Sequence, residues 1–124
     1  MNQERIVISG LGVMSPNGIG RDAFFAALAS GKSGVRHITR FDASSLTCRV
    51  AGEVDFDPAA WVDAKNMKHV SRVVPMTLGA TDEALRDAKL DPSAVDLETR
   101  RSMAVMLGSG GGAVEFSERM YELW

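Results

Sequence analysis

Apolar and polar positions divide the chain into segments of different period. Arg5–Gly12 reads RIVISGLG, with Ile6, Val7 and Ile8 adjacent and Gly10 and Gly12 behind them. The β-branched trio predicts a buried strand that breaks at the turn-forming run Ser15–Gly18, SPNG. Met103–Leu107, MAVML, is a second unbroken apolar run. It is too short for a comfortable helix and is bounded by turn residues, which predicts a strand covered on both faces.

Other segments carry a helical period. Gly20-Arg21-Asp22 opens a helix with a negative charge in its first turn, where the helix dipole favours it. Phe24, Phe25, Ala27 and Leu28 form its apolar face, and Gly31 stands where a left-handed terminal residue is wanted. Ser71–Leu90 is the longest helical segment. Val74, Leu78, Thr81, Leu85 and Ala88 make one stripe, and Val73, Met76, Ala80 and Ala84 an adjacent one. So wide an arc predicts a largely buried helix, and Gly79, Ala80 and Ala84 are small enough for another element to come close. Pro75 must lie in the first turn, which puts the start between Ser71 and Val74, and Asp91-Pro92 is expected to end the helix. AVEFSERMYELW predicts a third helix, with Phe116, Met120 and Leu123 or Trp124 along one side.

The remaining segments are less regular. Ser33–Asp63 reads as a folded-down loop, with a short strand candidate at Arg49–Val54 that Gly52 weakens. Asp57-Pro58 fits a cap followed by proline at the first helical position, giving one short turn that buries Trp61. SAVDLETRR reads as a polar connector. The order strand, helix, loop, helix, strand, helix predicts an α/β fold whose two apolar strands pair in parallel.

Composition narrows the function classes. The 124 residues carry a formal charge of −2, with 45% hydrophobic and 24% charged residues. That suits one globular core and argues against a large nucleic-acid footprint. No apolar run reaches the length of a membrane span, so no membrane insertion is expected. Cys48 is the sole cysteine, which excludes an intrachain disulfide and fits a reducing cytoplasm. His37 and His69 are far apart and have no ligand-type spacing, so no metal site is expected.

Candidate chemistry centres on Gly108, Ser109, Gly110, Gly111 and Gly112. Four glycines in five residues, between a predicted strand and a predicted helix, let the backbone approach a ligand or another chain closely. Such a loop is either a ligand site or a tight crossover that needs glycine for steric reasons. Gly18–Ala23 and Gly108–Ala113 both match a loose dinucleotide-binding pattern. The first follows a turn rather than a strand, and Glu115 in the opening turn after the second would repel a pyrophosphate. Dinucleotide binding is therefore the less favoured alternative.

RIVISGLGVMSPNGIG, FFAALASGKSGV, ITRFDAS, AGEVDFDP and the run from Lys65 through the long helix to MLGSGGG occur in the order and spacing of one family. Together they resemble the N-terminal part of a β-ketoacyl-acyl-carrier-protein synthase of the elongating type. The resemblance implies a thiolase-like α/β fold, layered αβαβα in the complete enzyme, of which residues 1–124 form an incomplete N-terminal half. It implies decarboxylative condensation of an acyl thioester with malonyl carrier protein, in fatty-acid or polyketide synthesis. A non-catalytic partner subunit of the chain-length-factor type is the alternative.

The family's cysteine nucleophile and two histidines match nothing in these residues. Cys48 lies in a loop unlike the nucleophile motif, and His37 and His69 do not match the histidine motifs. The chain is therefore expected to hold no catalytic residue, to be inactive alone, and to be ordered only with the rest of its enzyme or in an oligomer. The resemblance further implies that Gly108–Gly112 lines the acyl pocket as a gate loop, with Gly111 standing where a bulky apolar residue is usual. It implies that Lys65, Lys68 and His69 dock acyl carrier protein. Pairing as a homodimer, or as a heterodimer with a related subunit, is implied as well; no cofactor is.

Overall fold

The computed structural model describes residues 5–124. A tight hairpin opens it: β1, Met14–Ser15, pairs antiparallel with β2, Gly18–Ile19, across Pro16-Asn17. Ser15 Oγ closes the turn, donating to the Gly18 carbonyl at 3.0 Å and accepting from its N–H at 3.2 Å. Helix α1, Arg21–Ala29, follows at once, with Asp22 in its first turn. Gly31 takes φ 67° beyond its end, in the left-handed region the sequence predicts.

The expected loop after α1 contains a ladder of its own. Strand β3, Val35–His37, pairs antiparallel with β4, Val50–Gly52. β4 falls inside the predicted segment; β3 was hidden because its three residues, VRH, lie exposed and show no alternation. Glu53 locks the ladder to the chain beyond β3. Its carboxylate is buried and accepts from the Thr39 N–H and hydroxyl, the Arg40 N–H and Arg36. These donors, Thr39 first, hold the carboxyl below its usual range against the cost of burial.

Asp57 accepts from the Ala59 N–H at 2.9 Å and starts a single 3-10 turn at Pro58–Ala60, as its cap pattern predicts. Trp61 behind it is half-buried and packs on Phe56 and on Gly79, where its ring would stand 3.0 Å from an added Cβ. Helix α2, Ala64–Met67, is one turn long. Helix α3, Val73–Asp87, begins within the predicted window, with Pro75 in its first turn and fully buried.

Two expectations for α3 are corrected. It ends at Asp87, ahead of Asp91-Pro92, because the chain turns at Lys89, a non-glycine residue at φ 55°. It is also half-buried rather than largely buried: Val74 and Leu78 remain 36% and 44% exposed. The buried side is the one with small residues. An added Cβ on Gly12 would lie 1.8 Å from the Ala80 carbonyl, and one on Gly10 2.2 Å from that of Ala84. Residues 10–12 thus lie on the backbone of α3, a distance that only glycine allows.

Two carboxylates of α3 secure that contact. Glu83 accepts from the Val13 N–H at 2.8 Å and the Arg21 N–H at 2.6 Å. Asp87 accepts from the Leu11 N–H at 3.1 Å and is paired with the Arg21 guanidinium. Gly20, the residue before α1, has no side chain to cap the helix, so Glu83 supplies the missing acceptor from another element.

The predicted connector SAVDLETRR holds a short helix, α4, Leu97–Ser102, capped by Asp96, which accepts from the Thr99 N–H at 2.9 Å. Helix α5, Val114–Glu122, follows the glycine loop as predicted, with Phe116 and Met120 half-buried.

The two apolar runs do not form the predicted parallel pair. The sheets among the described residues are the two antiparallel ladders. Ile6, Val7 and Ile8 are 99%, 70% and 82% exposed, and Val105, Met106 and Leu107 are 87%, 92% and 79% exposed. A strand buried on both faces needs a neighbour along each edge and a layer over each face. No described segment covers these two, so the apolar pattern stands without the environment it requires.

The clamp on α3 has a pH signature. The Leu11 N–H and then Arg21 hold the Asp87 carboxyl below its usual range. A carboxyl lowered by folding stabilises the fold fully above its unfolded pKa of about 4, and that contribution disappears as the pH falls through the lower folded value. In the intact protein Asp87→Asn should lower stability at pH 7 and flatten the acid limb of the stability curve. Glu83→Ala, which orphans two amides, should cost about 2 kcal/mol at any pH from 6 to 8. Melting curves of the variants across pH 3–8 check both.

Candidate functional site

The glycine loop runs from Gly108 to Gly112 between the apolar run and α5, and it has two unlike halves. An added Cβ on Gly108 or Gly110 would meet nothing within 4 Å, and one on Gly111 only Val114 at 3.8 Å. Gly111 has φ 137°, a conformation that side chains rarely adopt. Gly112 is enclosed. Its N–H donates to Ser109 Oγ at 2.8 Å, its carbonyl accepts from Ser71 Oγ at 3.0 Å, and Val73 lies at contact distance beside it.

The loop rests on the start of α3. An apolar cavity of about 260 Å³ opens on one side, between Val74, Thr77 and Leu78 of α3 and Leu107–Ser109. A second, of about 610 Å³, lies on the other side between Gly111–Val114 and Ser117, Glu118 and Tyr121 of α5. Val73 and Ser109 line both. The loop thus borders two apolar depressions that are open to solvent.

In both glycine patterns some of the amides are already engaged. In Gly18–Ala23 the Gly20 N–H is bonded to the Val13 carbonyl and the Arg21 N–H to Glu83. In Gly108–Ala113 the Gly112 N–H is taken by Ser109, and Glu115 lies in the first turn of α5, where it accepts from the Arg72 N–H at 2.8 Å. A carboxylate thus stands at the start of the helix that follows each pattern, where it disfavours an anion.

The basic set lies beside this loop. Lys65 is in α2, Lys68 follows it directly, and His69 is the next residue; all three are exposed. Lys68 and His69 border a cavity of about 350 Å³ shared with Phe116, Arg119 and Met120 of α5, which Lys65 does not join. Arg119 was not apparent from the sequence, since only folding of α5 brings it to Lys68; its guanidinium lies 5.4 Å from the Phe116 ring. Arg72 was missed as well, because its side-chain partners lie 16 and 18 residues back in the chain. It lies over the Phe56 ring at 4.2 Å and donates to the Val54 carbonyl. Burial, and then the charge of Arg40, lower its pKa.

Cys48 is exposed in its loop, with Sγ 3.6 Å from the Val50 carbonyl. His37 lies in β3, remote in sequence from His69 after α2. Among the described residues, no group of three histidine, cysteine, aspartate or glutamate side chains could hold a metal ion, and no helix is long and apolar enough to cross a membrane.

This arrangement of a β-α unit on a central small-residue helix, with a glycine loop at that helix's start, has relatives. Residues 3–123 match the family described as Beta-ketoacyl synthase, N-terminal domain, and the chain belongs to it. The tetracenomycin polyketide synthase ketoacyl synthase beta subunit of Streptomyces glaucescens is 38% identical over 121 residues, covering 96% of this chain and 29% of that protein. The 3-oxoacyl-[acyl-carrier-protein] synthase 2 of Coxiella burnetii is 38% identical over 123 residues, covering 98% and 29%. A solved structure described as the ishigamide ketosynthase/chain length factor superposes with a TM-score of 0.63 at 34% identity, covering 72% of this chain and 22% of its own. The chain therefore spans about 29% of the length of these curated relatives.

Proposed function

We propose that residues 1–124 are the N-terminal part of an elongating β-ketoacyl-acyl-carrier-protein synthase that is layered αβαβα when complete. The observation that carries this reading is the family match over residues 3–123, joined to a glycine loop that borders two apolar depressions. In the complete enzyme a cysteine thiolate outside these residues takes the acyl group from its carrier thioester. Malonyl carrier protein then loses carbon dioxide, and the resulting enolate attacks the acyl carbonyl and expels the cysteine thiolate. This chain contributes binding surfaces and no reacting group, so alone it is inactive.

The exposed runs Ile6–Ile8 and Val105–Leu107 support the incomplete reading. They have the composition of central parallel strands and lack a neighbour among the described residues. A related subunit, as in the ketosynthase/chain length factor structure, is the natural partner, with a second copy the simpler version. The chain-length-factor role itself gains no preference, because a beta subunit and a synthase 2 are each 38% identical. Malonyl-dependent elongation with release of carbon dioxide by the intact protein tests the synthase. Carrier-stimulated activity seen only with an added partner subunit would favour the chain-length factor.

Lys65, Lys68 and His69 form the docking surface for acyl carrier protein in this reading. Exposed charges of this kind steer association and weaken with salt. Lys65→Glu with Lys68→Glu in the intact enzyme should raise the KM for carrier-bound substrate roughly five-fold at low salt, less at high salt. Small thioester mimics should be unaffected; equal loss with them removes the docking role.

Gly111 is the gate position of the acyl pocket, and it has no side chain to swing. A gate position without a side chain leaves room for longer acyl chains, each added methylene contributing about 0.8 kcal/mol when buried. Gly111→Ile should shift preference toward shorter primers. Its φ of 137° means the branched residue also has to move the loop, which sharpens the same effect. An unchanged chain-length profile would leave the loop as a steric crossover only.

A further inference from the structure

Two hydrogen bonds join the start of α3 to the Gly112 end of the glycine loop and to the first turn of α5 behind it. Ser71 is 6% exposed, and its hydroxyl donates to the Gly112 carbonyl at 3.0 Å across 41 residues of sequence. One residue on, the Arg72 N–H donates to Glu115 Oε1 at 2.8 Å, across 43 residues. Gly112 N–H is held in turn by Ser109 Oγ. The near half has no such attachment: Gly108 and Gly110 face open space.

The Arg72 amide is free for this role because Arg72 is the N-cap of α3, and the N–H groups at a helix start have no intrahelical acceptor. Arg72 itself is fixed, with its guanidinium between the Val54 carbonyl and the Phe56 ring. Ser71 cannot turn to water from its buried position. The clasp therefore has a rigid side, residues 71–72, and a side that would otherwise be free, the glycine loop.

Resting on the acyl-pocket role of the loop, we infer that Ser71 and Glu115 are positioning residues that hold the Gly112 end of the loop against α3 and so set which acyl lengths the pocket accepts. They touch no reacting atom. With the Gly112 end tethered, a long acyl chain can displace only the Gly108–Gly111 half. Releasing the tether lets the whole loop shift, and discrimination between long and short primers falls.

The test uses the intact synthase, with kcat/KM measured over a series of acyl primers from short to long. Ser71→Ala and Glu115→Ala should each change the long-to-short ratio, and the double variant should change it on the order of ten-fold, the scale at which apolar pockets discriminate by one or two methylenes. Ser71→Thr keeps the hydroxyl and should restore the native ratio. Decarboxylation of malonyl carrier protein without a primer should keep its native rate in all of them. If Ser71→Ala fails to fold, Glu115→Ala carries the test, since Glu115 is exposed and its loss leaves no buried group unpaired.

Gly111→Ile separates the two ways of failing. A profile moved by Gly111→Ile but untouched by Ser71→Ala and Glu115→Ala overturns the clasp and leaves the acyl-pocket loop standing. A profile moved by none of the three removes the loop's role, and the clasp with it.

Discussion

The contact between α3 and residues 10–13 is the constraint on which the described structure depends. Gly10 and Gly12 lie on the carbonyls of Ala84 and Ala80, and Glu83 and Asp87 take the amides of Leu11, Val13 and Arg21. One helix face thereby positions the opening segment, the hairpin and the start of α1. The middle of the same helix receives Trp61 at Gly79, and its start receives the glycine loop at Ser71 and Val73. Small residues set the distance, and carboxylates turn proximity into a defined register. Neither would serve alone: a glycine-on-helix contact has little directionality, and a carboxylate on a longer approach would not reach both amides.

Much of this was legible because its signals are local. The Pro75 position fixes the start of α3, Gly31 the end of α1, and Asp57-Pro58 the 3-10 turn, each through backbone geometry that few residues allow. α4 was equally local: Asp96 caps it through Thr99, three residues on, but the six-residue helix buries nothing and so leaves no apolar period to read. β3 was invisible for a related reason, since an exposed three-residue strand is defined by its partner rather than by its own pattern.

The two apolar runs mark the limit. Their composition records an environment, a sheet interior, and says nothing about which segment supplies it. Met103–Leu107 and Ile6–Ile8 meet that requirement nowhere among the described residues. The candidate site divides along the same line. Gly108–Gly112, Lys65, Lys68 and His69 were accessible from sequence, because glycine density and a family pattern are one-dimensional. Arg119, the Arg72–Glu115 bond and the Ser71–Gly112 bond were not, because each depends on α5 folding back to the start of α3.

The amides of Leu11 and Val13 have a directional consequence. Alternate residues of an extended chain show their N–H groups along the same edge. Both of these are consumed by α3 carboxylates, and the Val13 carbonyl is consumed by the Gly20 N–H. The edge facing the hairpin is closed from Leu11 onward, as firmly as if a strand already lay there. The carboxylates of α3 thereby withhold these amides from any added strand.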